Sequence, residues 1–165
     1  MKVKQIVDTD FSNYKKPSIF ILFPNCSFKC DKESGCMVCQ NSSLANQPNI
    51  EISYEEILQL YRENPVTKAF VCGGLEPFDS FSELLELVQA IRKEMLNDIV
   101  IYTGYKEEEI AAQLAQLLQY KNIIIKFGRY IPNCDGHYDE VLGVKLASPN
   151  QYAKHIGEEH ENYKN

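Results

Sequence analysis

Four short apolar runs recur along the chain, and each predicts a buried β-strand. Residues 18–23 (SIFILF), 67–72, 98–103 and 122–127 are rich in Ile, Val and Phe and do not alternate with polar residues. Continuous runs of this length are typical of parallel strands that are covered by helices. Residues 141–147 predict one further strand, which would be the last of the chain.

Helical periodicity fills the intervals between these runs. Residues 53–64 and 80–95 each begin with a capping box, led by Ser53 and Ser80, and residues 106–119 predict a third helix. Strands that alternate with helices indicate an α/β fold with a mostly parallel sheet. The chain has 165 residues, too few for a complete eight-stranded barrel of about 250 residues. A partial, open βα barrel or an open α/β sheet remains.

The length also predicts a single domain spanning residues 1–165. Residues 1–17 are polar and irregular, and the pattern loses its regularity again near the C-terminus. We therefore expect residues 1–17 and 152–165 to be peripheral tails.

Charge and hydropathy exclude several classes of partner. The chain has 17 Lys and Arg against 23 Asp and Glu, a net charge of −6, whereas a nucleic-acid-binding protein needs a basic face. The longest apolar runs, residues 19–23 and 99–102, are too short to span a bilayer. No apolar stretch follows the basic N-terminal residues, so we expect no signal peptide and a cytoplasmic protein.

The cysteines are the most informative residues for chemistry. Four of the six fall within fourteen positions: Cys26, Cys30, Cys36 and Cys39. Without a secretory signal, such a cluster indicates metal binding rather than disulfides. Structural zinc sites use two cysteine pairs separated by a dozen or more residues, and only five separate the pairs here. Thiolates equally suit an iron–sulfur cluster. Cys72 lies in an apolar run and is interpreted as a core residue, and Cys134 has no assigned role.

The unusual segments all follow predicted strands. The cysteine loop comes after the first strand, residues 73–77 (GGLEP) after the second, residues 103–105 (TGY) after the third and residues 128–130 after the fourth. In parallel α/β folds, reactive sites lie beyond the carboxyl ends of the strands. We therefore expect one site built from these loops.

The cysteine loop resembles that of radical S-adenosylmethionine (SAM) enzymes, which typically carry C-x3-C-x2-C. In their glycyl-radical activating branch, Asn commonly stands two residues after the third cysteine. Cys26 and Cys30 match the first two ligands of that motif. Cys39, with Asn41 two residues later, matches the third.

An insertion at residues 31–38, where eight residues stand in place of the motif's two, distinguishes this chain from that motif and contains Cys36. Nine residue steps can span about 30 Å, so the third cysteine can fold back to one cluster. The flanking residues favour Cys36 as a spectator. The alternative, in which Cys36 replaces Cys30 as a ligand, stays open.

Three later segments are similar to the same family. Residues 73–77 resemble its GGEP motif with one Leu inserted. Residues 102–105 (YTGY) and 148–151 (SPNQ) resemble segments of the activating proteins of anaerobic ribonucleoside-triphosphate reductases. The matches run from about residue 18 to residue 151 and occur in the family's order.

The resemblance implies a radical-SAM-like partial barrel with a [4Fe–4S] cluster on Cys26, Cys30 and Cys39, and SAM bound at the remaining iron. It implies that the protein generates a glycyl radical on the catalytic subunit of anaerobic ribonucleoside-triphosphate reductase, with flavodoxin or ferredoxin as electron donor. Another small radical SAM enzyme and a non-catalytic iron–sulfur or zinc module are the alternatives. The residues that the resemblance assigns to SAM are Val38, Asn41, Gly73, Gly74, Glu76 and Thr103.

Overall fold

The computed structural model describes residues 1–157, which form a mixed α/β fold. None of the helices in this part of the chain is long and apolar enough to cross a membrane. Short 3₁₀ helices at Pro77–Ser80 and Glu107–Ile110 precede two of the α-helices. In chain order, the strands and α-helices of the described residues are β1 (Lys2–Val3), β2 (Gln5–Asp10), β3 (Ser18–Phe23), α1 (Lys29–Ser34), α2 (Ser42–Ala45), β4 (Ile50–Glu51), α3 (Tyr54–Glu63), β5 (Ala69–Gly74), α4 (Phe81–Glu94), β6 (Asp98–Tyr102), α5 (Ala111–Leu117), β7 (Ile123–Phe127), β8 (His137–Asp139), β9 (Val144–Leu146) and β10 (Tyr152–Ile156).

The central sheet is mostly parallel. Within residues 1–157 its strand order is β10-β7-β6-β5-β3-β2. The four inner strands β3, β5, β6 and β7 are parallel neighbours, and these are the four strands that the apolar runs predict. The edge strands β2 and β10 are antiparallel to their neighbours. The predicted α/β class with a mostly parallel sheet is therefore confirmed.

The inner strands are buried on both faces, which explains their continuous apolar sequences. On one face, strand residues such as Ile21, Phe70 and Ile101 pack with residues of α3, α4 and α5. On the opposite face, Val71 and Val100 pack in a second cluster that includes Leu146 of β9. Helices cover one face and the β8–β9 region helps to cover the other.

The predicted helix starts had different outcomes. Ser53 caps α3 as expected, because its hydroxyl accepts the Glu56 N–H at 3.1 Å and the Glu56 carboxylate accepts the Ser53 N–H at 2.8 Å. Ser80 is the N-cap residue of α4 as predicted, but the capping box is wrong, because the Ser80 side chain makes no capping hydrogen bond. A 3₁₀ turn precedes α4, and the Ser80 hydroxyl instead accepts a hydrogen bond from the Asn25 side chain at 2.9 Å.

Both predicted tails contain strands of the central sheet. Strand β2 pairs with β3, and β10 pairs with β7. Each is an edge strand with partly exposed residues, so neither has the continuous apolar sequence that identifies a buried strand. The strand predicted at residues 141–147 is present as the shorter β9, but it is not the last strand, because β10 follows it. Within the described residues, β9 pairs with β8 in a separate two-stranded sheet. Residues 158–165 of the predicted C-terminal tail lie outside the described residues.

Candidate functional site

Three of the clustered cysteines line a single cavity at the carboxyl ends of the parallel strands. The cavity has a volume of about 480 Å³, and Cys26, Cys30 and Cys39 contribute to its wall. Cys36 is exposed and is not among the residues that line this cavity. The loops after β5, β6 and β7 complete the wall, as expected for a site at this edge of an α/β sheet. The geometry therefore separates Cys36 from the other three thiols.

The insertion folds back on itself and returns the chain to the cavity. Phe28 adopts a left-handed conformation with φ of 52°, and α1 follows it directly. Gly35 ends α1 with φ of 71°, a conformation that costs glycine little because it has no Cβ. This helix and turn occupy most of the spacer between Cys30 and Cys39.

All six cysteines lie in the described residues as free thiols, and three of the clustered ones line the cavity. Among residues 1–157, no three His, Cys, Asp or Glu side chains converge tightly enough to hold one metal ion. A zinc ion needs its sulfur ligands about 2.3 Å from a single point, whereas an iron–sulfur cluster has several irons and larger dimensions. The three thiols that line the cavity are of the ligand type that an iron–sulfur cluster uses.

Burial keeps two of these thiols protonated in the metal-free chain. It raises the pKa of Cys26 to about 12, opposed by a hydrogen bond that the Phe28 N–H donates to the sulfur at 3.2 Å. Burial also raises the pKa of Cys39. Because iron binds thiolates, cluster assembly must release these protons. The N–H contact to the Cys26 sulfur is of the type that tunes cluster potentials.

Glu76 presents a buried carboxylate to the same cavity. One of its oxygens accepts the Thr103 hydroxyl at 2.8 Å and the Phe78 N–H at 3.1 Å, and the other accepts the Gly104 N–H at 2.9 Å. Burial raises its pKa from 4.5 to about 7, although these three hydrogen bonds act in the opposite direction. The site thus holds an acid that can change protonation near neutral pH.

The buried Lys126 is a cavity residue that sequence reasoning missed. It lies near the end of β7, where its ammonium donates to the Gly128 carbonyl at 3.0 Å. Burial lowers its pKa to about 8, and the charges of Glu76 and Cys30 oppose that shift. The available signal was a lysine inside the apolar run IIIKF. Buried lysines are uncommon unless they are paired.

The two glycines after β5 have different surroundings. Gly74 lines the cavity with φ of 81°, and a Cβ added there would lie 2.8 Å from the Cβ of Leu22. Only glycine tolerates both constraints. Gly73 pairs with Leu22 of β3, an added Cβ there would lie 3.0 Å from the Phe20 ring, and Gly73 is not among the residues that line the cavity.

The remaining residues assigned to SAM have structural partners of their own. Asn41 lines the cavity and donates to the Gly74 carbonyl at 2.7 Å, which connects the cysteine loop to β5. Thr103 lines the cavity and orients Glu76. Val38 is not a lining residue of this cavity, and its N–H donates to Asp31 at 2.8 Å. Only the carbonyl of its backbone therefore remains for a ligand.

A second set of contacts holds the cysteine loop in place from outside the cavity. Sequence reasoning did not predict these contacts. The Asp79 carboxylate accepts the Ser27 N–H and the Tyr105 hydroxyl, each at 2.5 Å. The buried side chain of Arg129 forms an ion pair with Glu33 of α1 at 2.9 Å. These contacts depend on residues far apart in the sequence, so no local motif reveals them.

In this α/β fold, three thiols of the loop after β3 line one cavity and are the ligand type of an iron–sulfur site. The comparison with protein families agrees: the model of the 4Fe-4S single cluster domain matches residues 17–143. No curated protein and no solved structure matches the chain. Because the family match covers most of the sequence, the chain belongs to the 4Fe-4S single cluster domain family, a domain seen in radical SAM-type proteins.

The raised pKa of Glu76 predicts a pH dependence of stability. Between about pH 4.5 and about pH 7 the folded chain binds more protons than the unfolded chain, so its free energy of unfolding falls as pH rises. Glu76→Gln removes this titration. From about pH 5 to about pH 8, we expect wild type to lose on the order of 1–3 kcal/mol more stability than Glu76→Gln.

Urea denaturation of the metal-free chain at both pH values measures this difference. Glu108→Gln, which changes an exposed carboxylate, is the matched control and should follow wild type. If the free energy of unfolding changes equally with pH in wild type and in Glu76→Gln, Glu76 does not titrate between these two pH values.

Proposed function

We propose that this protein is a radical SAM enzyme that cleaves SAM reductively at a [4Fe–4S] cluster. The observation that carries the proposal is the position of Cys26, Cys30 and Cys39 on one cavity wall together with a buried carboxylate, Glu76. Membership of the 4Fe-4S single cluster domain family supports the cluster. Three thiols leave one iron of a four-iron cluster without a protein ligand, as in metal sites that keep a position open for substrate.

The cavity supplies a partner for each charged end of an amino acid. Glu76 is positioned to accept hydrogen bonds from an ammonium group, and Lys126 offers a cation to a carboxylate. The pKa of Glu76 is raised to about 7 and that of Lys126 is lowered to about 8 because both are buried. A zwitterionic ligand between them would stabilise both charged forms. These residues therefore suit the methionine part of SAM.

When bound, a reduced cluster would supply one electron to break the carbon–sulfur bond between the sulfonium and C5′ of SAM, which would give methionine and a 5′-deoxyadenosyl radical. The chain's own residues bind and orient the reactants. Cys26, Cys30 and Cys39 hold the cluster, and Thr103 fixes the Glu76 carboxylate through its hydroxyl. Asn41 keeps the third thiol next to β5 through the Gly74 carbonyl. The Val38 carbonyl is the backbone group left for the adenine.

We also propose that the central sheet is part of a barrel. It has four parallel strands with helices on one face, which is half the number of strands in a complete eight-stranded barrel. We assign them to the open partial barrel of the radical SAM family. Such a sheet leaves its cavity accessible from one side, which suits a reaction on another protein's backbone.

We further propose that the substrate is a glycine Cα–H of anaerobic ribonucleoside-triphosphate reductase, with flavodoxin or ferredoxin as the cytoplasmic electron donor. Support comes from the ordered motifs, above all residues 102–105 (YTGY) and 148–151 (SPNQ). Gln151 of the second motif lines the cavity. Tyr102, Thr103 and Gly104 of the first motif line it as well, although the two segments are more than forty residues apart in the sequence.

The test of this substrate is electron paramagnetic resonance of the reductase subunit. We expect a glycyl doublet after anaerobic incubation of that subunit with the reconstituted chain, SAM and reductant. Cys39→Ala serves as the inactive control. If wild type produces 5′-deoxyadenosine but no glycyl doublet, the substrate is a different molecule and the activase assignment fails.

A further inference from the structure

The spacer between the second and third thiols precedes the bond that Asn41 makes to the Gly74 carbonyl, so its own conformation depends on other contacts. Eight residues separate Cys30 from Cys39, and most of them are exposed. A flexible spacer of this length would leave the third thiol free to move relative to the first two, and ordering it costs conformational entropy. A contact within the loop is therefore needed to order the spacer.

One side chain makes that contact. The Oδ1 atom of Asp31 accepts hydrogen bonds from the N–H groups of Val38 and Cys39, both at 2.8 Å. Asp31 directly follows Cys30 in the sequence. Its carboxylate therefore connects the backbone at the second thiol to the backbone of the third. Hydrogen bonds to an ionised acceptor are about twice as strong as those between neutral groups.

Neighbouring contacts hold Asp31 in place. Its backbone lies in α1, and the Ser34 hydroxyl donates to the Asp31 carbonyl at 3.1 Å. Glu33 of the same helix forms an ion pair with the buried Arg129 at 2.9 Å. The helix that carries Asp31 is thus anchored to the loop after β7, so Asp31 presents its carboxylate from a fixed position.

We infer that Asp31 is the positioning residue for the third thiolate: it closes the eight-residue spacer so that Cys39 reaches the same cluster as Cys26 and Cys30. The inference rests on the proposed ligand set. Asp31 is not assigned as a cluster ligand, because its Oδ1 accepts the two backbone N–H groups and Asp31 is not among the residues that line the cavity. Asn at this position retains a carbonyl oxygen that can accept both bonds, whereas Ala retains none.

The test is the rate at which a ferrous chelator removes iron from the anaerobically reconstituted chain. Loss of a group that orients a metal ligand typically costs 10- to 100-fold in metal affinity. We expect Asp31→Ala to lose iron at least about 10-fold faster than wild type. Asp31→Asn should stay within about threefold of wild type, because it keeps the acceptor and loses only the charge. Asp8→Ala, a matched change at an exposed strand residue, should equal wild type.

Hydrogen exchange of the metal-free chain gives a second readout. The Val38 and Cys39 amides should exchange slowly in wild type and in Asp31→Asn, and fast in Asp31→Ala. Wild-type iron retention in Asp31→Ala would overturn the inference, as would an Asn variant that releases iron as fast as the Ala variant. Both measurements are made without SAM, so they test the role of Asp31 independently of SAM cleavage. A chain that holds its cluster but fails to cleave SAM would refute the proposed function, and the iron-release and hydrogen-exchange results could still be interpreted.

Discussion

Replacing Cys26, Cys30 or Cys39 with alanine is expected to remove the cluster, whereas Cys36→Ala should retain it. The first three thiols line the cavity and the fourth is exposed outside it. Loss of a direct ligand should exceed the 10- to 100-fold effect that is typical of losing an orienting group. We therefore expect the iron and sulfide content of each of the three variants to fall at least about 10-fold after anaerobic reconstitution.

Cys36→Ala is the matched control because it removes a thiol from the same loop. Its cluster content and visible absorbance should equal those of wild type. The opposite pair of results, in which Cys30→Ala retains the cluster and Cys36→Ala lacks it, would show that Cys36 replaces Cys30 as a ligand. Loss of the cluster in all four variants would indicate a four-thiol site without an open iron, as expected for a structural or electron-transfer module.

Glu76→Gln should retain the cluster and lose SAM cleavage. The substitution keeps the size of the side chain but removes the negative charge that faces the proposed ammonium group. Breaking a buried, hydrogen-bonded charge pair typically costs 2–5 kcal/mol, which corresponds to a factor of about 30 to several thousand in binding or rate. We expect at least about a 30-fold lower rate of 5′-deoxyadenosine formation at subsaturating SAM.

The control for that experiment is Glu108→Gln, which should cleave SAM at the wild-type rate. Cluster content must be measured in the same preparations, because a lost cluster also abolishes cleavage. A Glu76→Gln variant with a full cluster and wild-type cleavage would exclude Glu76 from SAM binding.

The inner strands and the helices that cover them could be predicted, because buried positions are occupied by apolar residues in a recognisable pattern. The run at residues 18–23 coincides with β3 in full, and the capping box at Ser53 begins α3 as expected. The edge strands β2 and β10 could not be predicted in this way. Their residues are only partly buried, so they lack a continuous apolar run. Their positions also depend on pairing with β3 and β7, which local sequence does not reveal.

The same distinction holds for the candidate site. The cysteines, Gly74 and Glu76 were found because each lies in a short motif that follows a strand. Lys126 and Asp31 were missed because their roles depend on what they contact. Lys126 shares its cavity with Glu76, fifty residues earlier, and Asp31 acts through N–H groups seven and eight residues later. Tertiary contacts of this kind have no signature in residue type or spacing.

The most direct test of the central claim is the detection of 5′-deoxyadenosine from the wild-type chain. The protein is reconstituted anaerobically with iron and sulfide, its cluster content is determined, and it is then reduced in the presence of SAM. We predict that 5′-deoxyadenosine and methionine form in equal amounts and only when both reductant and cluster are present. A chain with a complete, reduced four-iron cluster that forms no 5′-deoxyadenosine would contradict the assignment as a radical SAM enzyme.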